Sequence, residues 1–197
     1  MSIELIMTGH DGVIVDSSED IYLAVWELMA DHSFGRRRIP SFLNFLQFFR
    51  FPGDEWFARH GFDFSPDEII KTLRYAPEKS PMFPAVPSLL ARVQGELKLP
   101  IIMISAGDQS RIERQLSIGA VLGRFEQIIG GVECKIAALR FLLIAFQIDP
   151  SQAVYIGDMP LDMEAGREAG VTTIGFTDDR PVMAEALTNA GAQFCVR

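Results

Sequence analysis

The sequence predicts an α/β fold in which a doubly wound parallel sheet carries a small helical insert after its first strand. Short apolar runs alternate with longer amphipathic segments along most of the chain, which is the pattern of strands joined by helices. Two of the apolar runs, one near each end of the chain, are followed within four residues by an aspartate. Residues 17–80, in contrast, carry helix signals and no strand signal of their own.

The first apolar run, Ile3–Met7, predicts a buried strand. It leads into Thr8–Gly12, and the apolar triplet Val13–Val15 follows. Asp-Gly between apolar runs is also the usual signal of a tight hairpin, so this stretch alone leaves a simple strand, turn and strand open.

A second strand with carboxylates at its end is predicted near the other end of the chain. The run Ala153–Ile156 is apolar, and Asp158 and Asp162 follow it closely. In an open parallel sheet, ligands collect in the crevice beyond the carboxyl ends of the strands. Magnesium prefers hard oxygen ligands of this kind. The two strand ends together therefore favour a magnesium site.

The stretches DGVIVDS, residues 11–17, and IGDMPLDMEAGREAGV, residues 156–171, resemble the haloacid dehalogenase (HAD) superfamily, in particular its phosphoglycolate phosphatase-like and phosphomutase-like branch. That family opens with Asp-x-Asp-Gly-Thr and closes with Gly-Asp-x-x-x-Asp. On this chain the second aspartate is Asp11 and the threonine is replaced by Val13, whereas the first aspartate, the family's covalent nucleophile, falls on Gly9. The resemblance implies a Rossmann-like HAD core whose central chemical group is missing.

The insert is expected to be a helical cap, because the family it resembles closes such a segment over its site. A helix is predicted from about Glu19 through Ala30, with Gly35 near its end, and Ser65-Pro66-Asp67-Glu68 is a strong helix start. The predicted domains are a core of residues 1–16 and 81–197 and a cap of residues 17–80. The aromatic density of the cap favours a small core of its own, and a flat apolar surface for a ligand or partner stays open as an alternative.

The return to the core predicts further strands and helices in alternation. A buried strand ends before Ser105 and Ala106, which form a plausible phosphate cradle at a helix start. The other predicted elements are a helix over 88–97, a strand over 99–104, a helix from Asp108, a helix over 136–146, a helix ending at Ala169, a strand over 171–176, a helix over 183–190 and an edge strand over 192–196.

Lys135 is spaced as the basic residue of the family, which holds nucleophile and phosphoryl charge together, although Ile136 stands where the family has proline. An ordinary exposed lysine at a helix start is the alternative. By resemblance, Asp11 and Lys135 are the catalytic residues, Ser105, Ala106 and Lys135 bind phosphate, and magnesium is held by the aspartates of the two motifs, namely Asp11 through its backbone carbonyl, Asp158 and Asp162. Gly9 supplies neither a nucleophile nor a metal ligand. His10 would serve as a phosphate acceptor only if the strand end rotated, since strand alternation points it away.

Length and composition narrow the class of protein. With 197 residues and 48% hydrophobic content, the chain fits one domain or a core with a modest insert. The net charge of −8 argues against nucleic acid or an anionic membrane as the main partner. No apolar stretch is long enough to span a bilayer or to act as a secretory signal, so a cytoplasmic protein is expected. Cys134 and Cys195 are expected to be buried or inert thiols, and Arg36–Arg38 a solvated loop.

Two hypotheses about function follow. The first is a magnesium-dependent hydrolase of small phosphoesters, with phosphatase activity that is weak or lost because Gly9 replaces the nucleophile. The second is a non-catalytic relative, a pseudophosphatase that binds a phosphorylated metabolite or a protein partner through the retained crevice. A dehalogenase would need the same missing aspartate.

Overall fold

A computed structural model describes residues 2–32, 39–50 and 53–197, and these residues form a six-stranded parallel sheet in the order β3-β2-β1-β4-β5-β6. The strands are β1 (Leu5–Thr8), β2 (Ile101–Ile104), β3 (Gln127–Ile129), β4 (Ala153–Gly157), β5 (Thr172–Phe176) and β6 (Phe194–Val196). The α/β class and the parallel sheet are confirmed, and the terminal strand lies at an edge as predicted.

β1 lies in the centre of the sheet, between β2 and β4. Thr8, at its carboxyl end, is in register with Met103 on one side and with Ile156 on the other. The three strand ends therefore open onto one crevice. The hairpin alternative does not form, because the N–H groups of Val13, Ile14 and Val15 all donate to the carbonyl of His10, so the chain coils back as a turn.

The helices of the core cover both faces of the sheet. They are α5 (Val86–Arg92, continued by a π-helical turn over Val93–Leu97), α6 (Gln109–Ile118), α7 (Lys135–Phe146), α8 (Pro160–Ala169) and α9 (Pro181–Ala190). Strand residues alternate between the two cores: Ile102 and Ile104 pack with Leu139 of α7, whereas Ile101 and Met103 pack with α5 and α6. Burial on both faces explains why β2 reads as a continuous apolar run.

The insert is helical throughout its described part. Its helices are α1 (Ser18–His32), α2 (Phe42–Phe48), α3 (Asp54–Arg59) and α4 (Pro66–Tyr75). The predicted helix start at Ser65 is confirmed, and Ser65 forms a capping box with Glu68, in which each side chain accepts a hydrogen bond from the other residue's backbone N–H. The predictions for Gly35 and for Arg36–Arg38 lie outside the described residues.

Many aromatic side chains of the insert are buried, but the expected core of its own is wrong, because the cluster they form also includes core helices. Phe45, Phe49, Trp56 and Phe57 lie edge to face or tilted against one another, an arrangement that adds to the free energy of burial. The same cluster contains Met163 of α8 and Met183 and Leu187 of α9. The insert therefore shares its apolar core with the helices on one face of the sheet.

The structure bears on the predictions about the two cysteines and about membrane-spanning segments. Cys134 and Cys195 were expected to be buried or inert thiols. Both are free and exposed, one before α7 and the other on the edge strand, so burial is wrong and inertness stays a prediction. None of the helices formed by the described residues combines the length and apolar character that a membrane crossing requires.

Truncation of the insert's aromatic core should destabilise the protein. Phe57 is 1% exposed and Phe48 is 56% exposed. Phe57→Ala is expected to lower the free energy of unfolding by about 3–5 kcal/mol, because it leaves a cavity, whereas Phe48→Ala is expected to change it by less than about 0.5 kcal/mol. Urea unfolding of both variants measures the difference, and equal effects would contradict the assignment of this core.

Candidate functional site

A cavity of about 120 Å³ lies between the carboxyl ends of the central strands and the helical insert. The sequence-predicted site residues all line it: Asp11, Ser105, Ala106, Lys135, Asp158 and Asp162. Gly9 and His10 line it as well, and the insert contributes an apolar wall that includes Phe45, Leu46 and Phe49. The site residues thus come together at the crevice that parallel-sheet topology predicts.

The carboxylate of Asp11 is held by the guanidinium of Arg111. Nη1 of Arg111 donates to Oδ1 of Asp11 over 3.0 Å, and Nη2 donates to Oδ2 over 2.7 Å. The side chain of Arg111 is 1% exposed. This is the bidentate geometry in which arginine binds a carboxylate most strongly, and it engages both oxygens of the residue expected to act as acid and base.

The surroundings of Arg111 are built to receive a buried guanidinium. Gly107 leaves room for it, because a Cβ at that position would collide with Nη2 of Arg111. Gln115, one turn further along α6, accepts a hydrogen bond from Nη1 over 2.9 Å. Its own amide donates to the carbonyl of Pro77 over 2.7 Å. The ion pair is thereby tied to the segment that returns from the insert to the core.

Sequence reasoning missed Arg111. On α6 the buried positions are Arg111, Ile112, Gln115 and Leu116, so two polar side chains one turn apart stand within the core-facing stripe. Such an i, i+4 polar pair in an otherwise apolar stripe is a readable signal of a buried polar network.

Other groups complete the shell of Asp11. Burial alone would raise the pKa of this carboxyl, but the hydrogen bonds and charges of His10 and Arg111 outweigh burial and hold the pKa well below its ordinary value. The hydroxyl of Ser17 donates to Oδ1 over 3.2 Å, and Nδ1 of His10 lies 3.3 Å from the same oxygen. β1 ends at Thr8, so strand alternation does not govern His10, whose ring is buried beside Asp11.

Lys135 is the first residue of α7, and its ammonium group pairs with Oδ1 of Asp162. The hydroxyl of Tyr155 donates to the same oxygen over 3.0 Å, and the backbone N–H of Met159 donates to Oδ2 over 3.2 Å. Burial lowers the pKa of Lys135, but the negative charge of Asp162 outweighs this and raises the pKa above its ordinary value. The side chain is 22% exposed, so Lys135 is a permanent cation at the cavity wall and not an ordinary surface lysine.

Asp158 lies against the turn of the first motif. Gly12 adopts a φ of +74°, and a Cβ there would collide with the carboxylate of Asp158, so only glycine permits both the turn and this approach. Burial, together with the charge of Asp162, raises the pKa of Asp158 to about 8. At neutral pH this carboxyl is therefore largely protonated.

Ser105 and Ala106 follow β2 at the floor of the cavity. The Oγ of Ser105 accepts a hydrogen bond from the backbone N–H of Gly107 over 3.0 Å, and no acceptor in the described ranges takes its own hydroxyl hydrogen. A hydroxyl in this state is available as a donor to an anion.

The side chains present do not fit the magnesium site that the resemblance implies. Gly9 offers no carboxylate, and the carboxylate of Asp162 is engaged by Lys135 and Tyr155. Of the expected ligands, the carboxylate of Asp158 and the backbone carbonyl of Asp11 are left, which is too few oxygen ligands for the expected site. Across residues 2–32, 39–50 and 53–197, no three His, Cys, Asp or Glu side chains are grouped so as to hold a metal ion. The three aspartates line one cavity but do not form a common ligand set.

Removal of Arg111 should expose the strength of its ion pair. Arg111→Met is expected to lower the free energy of unfolding by about 3–5 kcal/mol at pH 7, because it leaves a buried carboxylate without its partner. The pKa of Asp11 is ordinarily 3.8 and is lowered in the folded protein. The destabilisation by Arg111→Met should therefore be fully present above pH 3.8 and should be lost as the pH falls through the lowered pKa. Urea unfolding against pH measures it.

Arg114→Met is the matched control on the same helix, because Arg114 pairs with Glu78 at the surface. Exposed pairs contribute at most about 1 kcal/mol. Equal losses in the two variants would contradict a special role for Arg111.

Asp158 should make stability fall in alkaline solution. Its pKa is about 8 in the folded protein against an ordinary 3.8, so the folded state holds a proton that the unfolded state releases between these values, and stability declines as the pH rises. Asp158→Asn is expected to match the natural chain near pH 4 and to exceed it at pH 9 by more than about 1.4 kcal/mol, the equivalent of one pKa unit. Thermal and urea unfolding at several pH values test this, with Asp54→Asn at an exposed position as control. An advantage for Asp158→Asn that does not grow with pH would contradict it.

Comparison with solved structures agrees with the fold. A haloacid dehalogenase-like hydrolase family protein from Streptococcus pneumoniae is 21% identical with a TM-score of 0.75, over 98% of this chain and 93% of that chain. A predicted phosphoglycolate phosphatase from Haemophilus somnus is 17% identical with a TM-score of 0.70, over 99% and 94%. A HAD family hydrolase from Deinococcus radiodurans, with bound phosphate and sodium, is 21% identical with a TM-score of 0.68, over 98% and 90%. At these identities the likeness concerns the fold alone.

The family model of haloacid dehalogenase-like hydrolases matches residues 10–176. No curated protein sequence matches the chain significantly. Because the family model covers most of the chain and contains both aspartate motifs, this protein belongs to the haloacid dehalogenase-like hydrolases.

Proposed function

We propose that this chain is a HAD-family member that has lost phosphoester hydrolysis and binds a small phosphorylated metabolite in the cavity between core and insert. The bidentate ion pair between Asp11 and Arg111 carries this proposal. This ion pair engages both oxygens of Asp11. Because Gly9 replaces the first aspartate, Asp11 is the remaining carboxylate of the family's Asp-x-Asp pair.

The chemistry of the family needs two carboxyl groups in this motif. The first attacks phosphorus, and Gly9 has no side chain to do so. The second must give a proton to the leaving group, which requires a protonated carboxyl near neutral pH. The lowered pKa of Asp11 keeps it ionised, and the guanidinium of Arg111 occupies both of its oxygens. The chain therefore has neither the nucleophile nor the proton donor that the family's reaction requires.

Phosphate binding has more support. The ammonium group of Lys135 and the hydroxyl of Ser105 both border the cavity, and the carboxyl of Asp158 is largely neutral at pH 7, so it repels an anion little. The relative from Deinococcus radiodurans carries bound phosphate, and the HAD family handles phosphoesters. A protein partner, the other form of the non-catalytic hypothesis, has less support because the aromatic side chains of the insert are largely buried.

A slow phosphatase is the second candidate. The observation that favours it is the convergence of Asp11, Ser105, Lys135 and Asp158 at one crevice. In this candidate Asp11 would activate water on a bound phosphoester, once the contact with Arg111 is released. The magnesium dependence predicted for the chain belongs to this candidate.

Restoring the missing groups should restore turnover. A Cβ at Gly9 would meet Cγ2 of Val13 at 3.4 Å and the carbonyl oxygen of Ile156 at 3.8 Å, so a side chain can begin there with ordinary van der Waals contacts. We expect Gly9→Asp to release phosphate slowly from small phosphoesters. Gly9→Asp combined with Arg111→Met should be about 10²-fold faster, because it frees Asp11 for proton transfer. Phosphate release in the presence and absence of magnesium is the measurement.

The controls separate this proposal from its alternative. Gly9→Asn has the same shape as the aspartate variant but no nucleophile, and it should stay at background, as should the natural chain. Circular dichroism establishes that each variant is folded at the assay temperature. Turnover by the natural chain that Asp11→Asn abolishes would overturn the proposal and establish the slow phosphatase.

A further inference from the structure

Arg74 is a cation of the cavity wall that has no hydrogen-bond or ion-pair partner among residues 2–32, 39–50 and 53–197. It lies in the last turn of α4 and lines the same cavity as Lys135 and Ser105. Its Nε is buried without a hydrogen-bond partner, and no carboxylate of the described residues pairs with its guanidinium. The other cations at this site differ, since Lys135 is paired with Asp162 and Arg111 with Asp11.

The position of Arg74 in the last turn of α4 does not explain why its guanidinium is partly buried without an acceptor among the described residues. A basic residue in the last turn is favoured by the helix dipole, but that interaction is satisfied by a solvated side chain at the surface. Lys71, one turn earlier on α4, is exposed in that manner. A partly buried guanidinium that faces a cavity without an acceptor instead matches a site whose anion comes from a ligand.

The walls around Arg74 are apolar. Phe45, Leu46, Phe49 and Leu73 of the insert line the cavity beside it, and Leu161 lines it from α8. These side chains offer no hydrogen-bonding group to hydroxyls of a ligand. Besides Arg74, Ser18 is the polar residue that the insert adds to the lining. On this side of the cavity a sugar-like or otherwise polar body would therefore replace few of its hydrogen bonds to water, which disfavours its binding.

We propose that Arg74 binds the anionic group of a small phosphomonoester whose remaining atoms are apolar. This inference rests on the proposed phosphate-binding function and names the ligand class of that site. The phosphate is placed between Arg74 on the insert and the Ser105 and Lys135 side of the core, and the apolar body packs against the aromatic wall. Arg74 thus contributes the charge that the internally paired Lys135 and Arg111 do not supply.

The test is calorimetric titration of the full chain with three probes: inorganic phosphate, phenyl phosphate and glycerol 1-phosphate. The natural chain is expected to bind phenyl phosphate at least about tenfold more tightly than glycerol 1-phosphate. Arg74→Met should weaken phenyl phosphate binding by about tenfold to a hundredfold, the effect of removing a charge-assisted hydrogen bond. Arg74→Lys should recover part of the loss.

Matched controls distinguish binding from structure. Lys71→Met removes one positive charge from the same helix and should leave all three affinities unchanged. The thermal midpoint of Arg74→Met should not fall, because no described residue pairs with the arginine. Unchanged phenyl phosphate affinity in Arg74→Met, or tighter binding of glycerol 1-phosphate, would overturn this inference.

The outcomes also separate the two proposals. If phosphate compounds bind and Lys135→Met weakens them while Arg74→Met does not, the proposed function stands and the role of Arg74 fails. If none of the three probes binds to the natural chain, both fail.

Discussion

The ion pair between Asp11 and Arg111 is the interaction on which the arrangement of the site depends. A carboxylate buried beside a parallel sheet needs a compensating charge, because burial alone disfavours its ionised form. Arg111 supplies that charge from α6 through two hydrogen bonds of 3.0 and 2.7 Å. The absence of a side chain at Gly107 leaves the space that the guanidinium occupies. The negative charge of Asp11, in the first motif of the family, is therefore compensated by a side chain of the protein itself.

The same interaction links the site to the rest of the molecule. Gln115 accepts a hydrogen bond from Arg111 and donates one to the carbonyl of Pro77, in the segment that leads from the insert back to the core. The insert also shares its buried aromatic cluster with Met163 and Leu187 of the core helices. The contacts that compensate the charge of Asp11 therefore also reach the segment that follows the insert. The apolar cluster separately packs the insert against the core helices.

A second set of paired charges surrounds Lys135. Asp162 accepts hydrogen bonds from Lys135, Tyr155 and the backbone of Met159, which fixes the ammonium group at the cavity wall. With both of these cations neutralised inside the protein, Arg74 is the cavity-lining cation without a partner in the described part of the chain. The unpaired positive charge of Arg74 is the reason why we propose an anionic ligand. The apolar side chains beside it are the reason why we propose that the rest of this ligand is apolar.

The sequence by itself determined the α/β class, the parallel sheet, the helical insert and the meeting of Asp11, Ser105, Lys135 and Asp158 at one crevice. The fold class and the meeting of the strand ends follow from local periodicity and from the rule that parallel strands end at the same edge. The place of Lys135 in the site was implied by the resemblance to the HAD family. The sequence also showed that Gly9 lacks the nucleophile, since that is a matter of residue identity. Of the two outcomes expected for Cys134 and Cys195, buried or inert, burial was wrong, because the exposure of a small side chain depends on which surfaces its neighbours cover. Only the tertiary structure decided that Arg111 reaches Asp11, that Asp162 holds Lys135 and that Arg74 faces the cavity unpaired. Those contacts join residues that are far apart in the chain or lie on separate helices, and their geometry depends on how α4, α6 and α8 pack on the sheet.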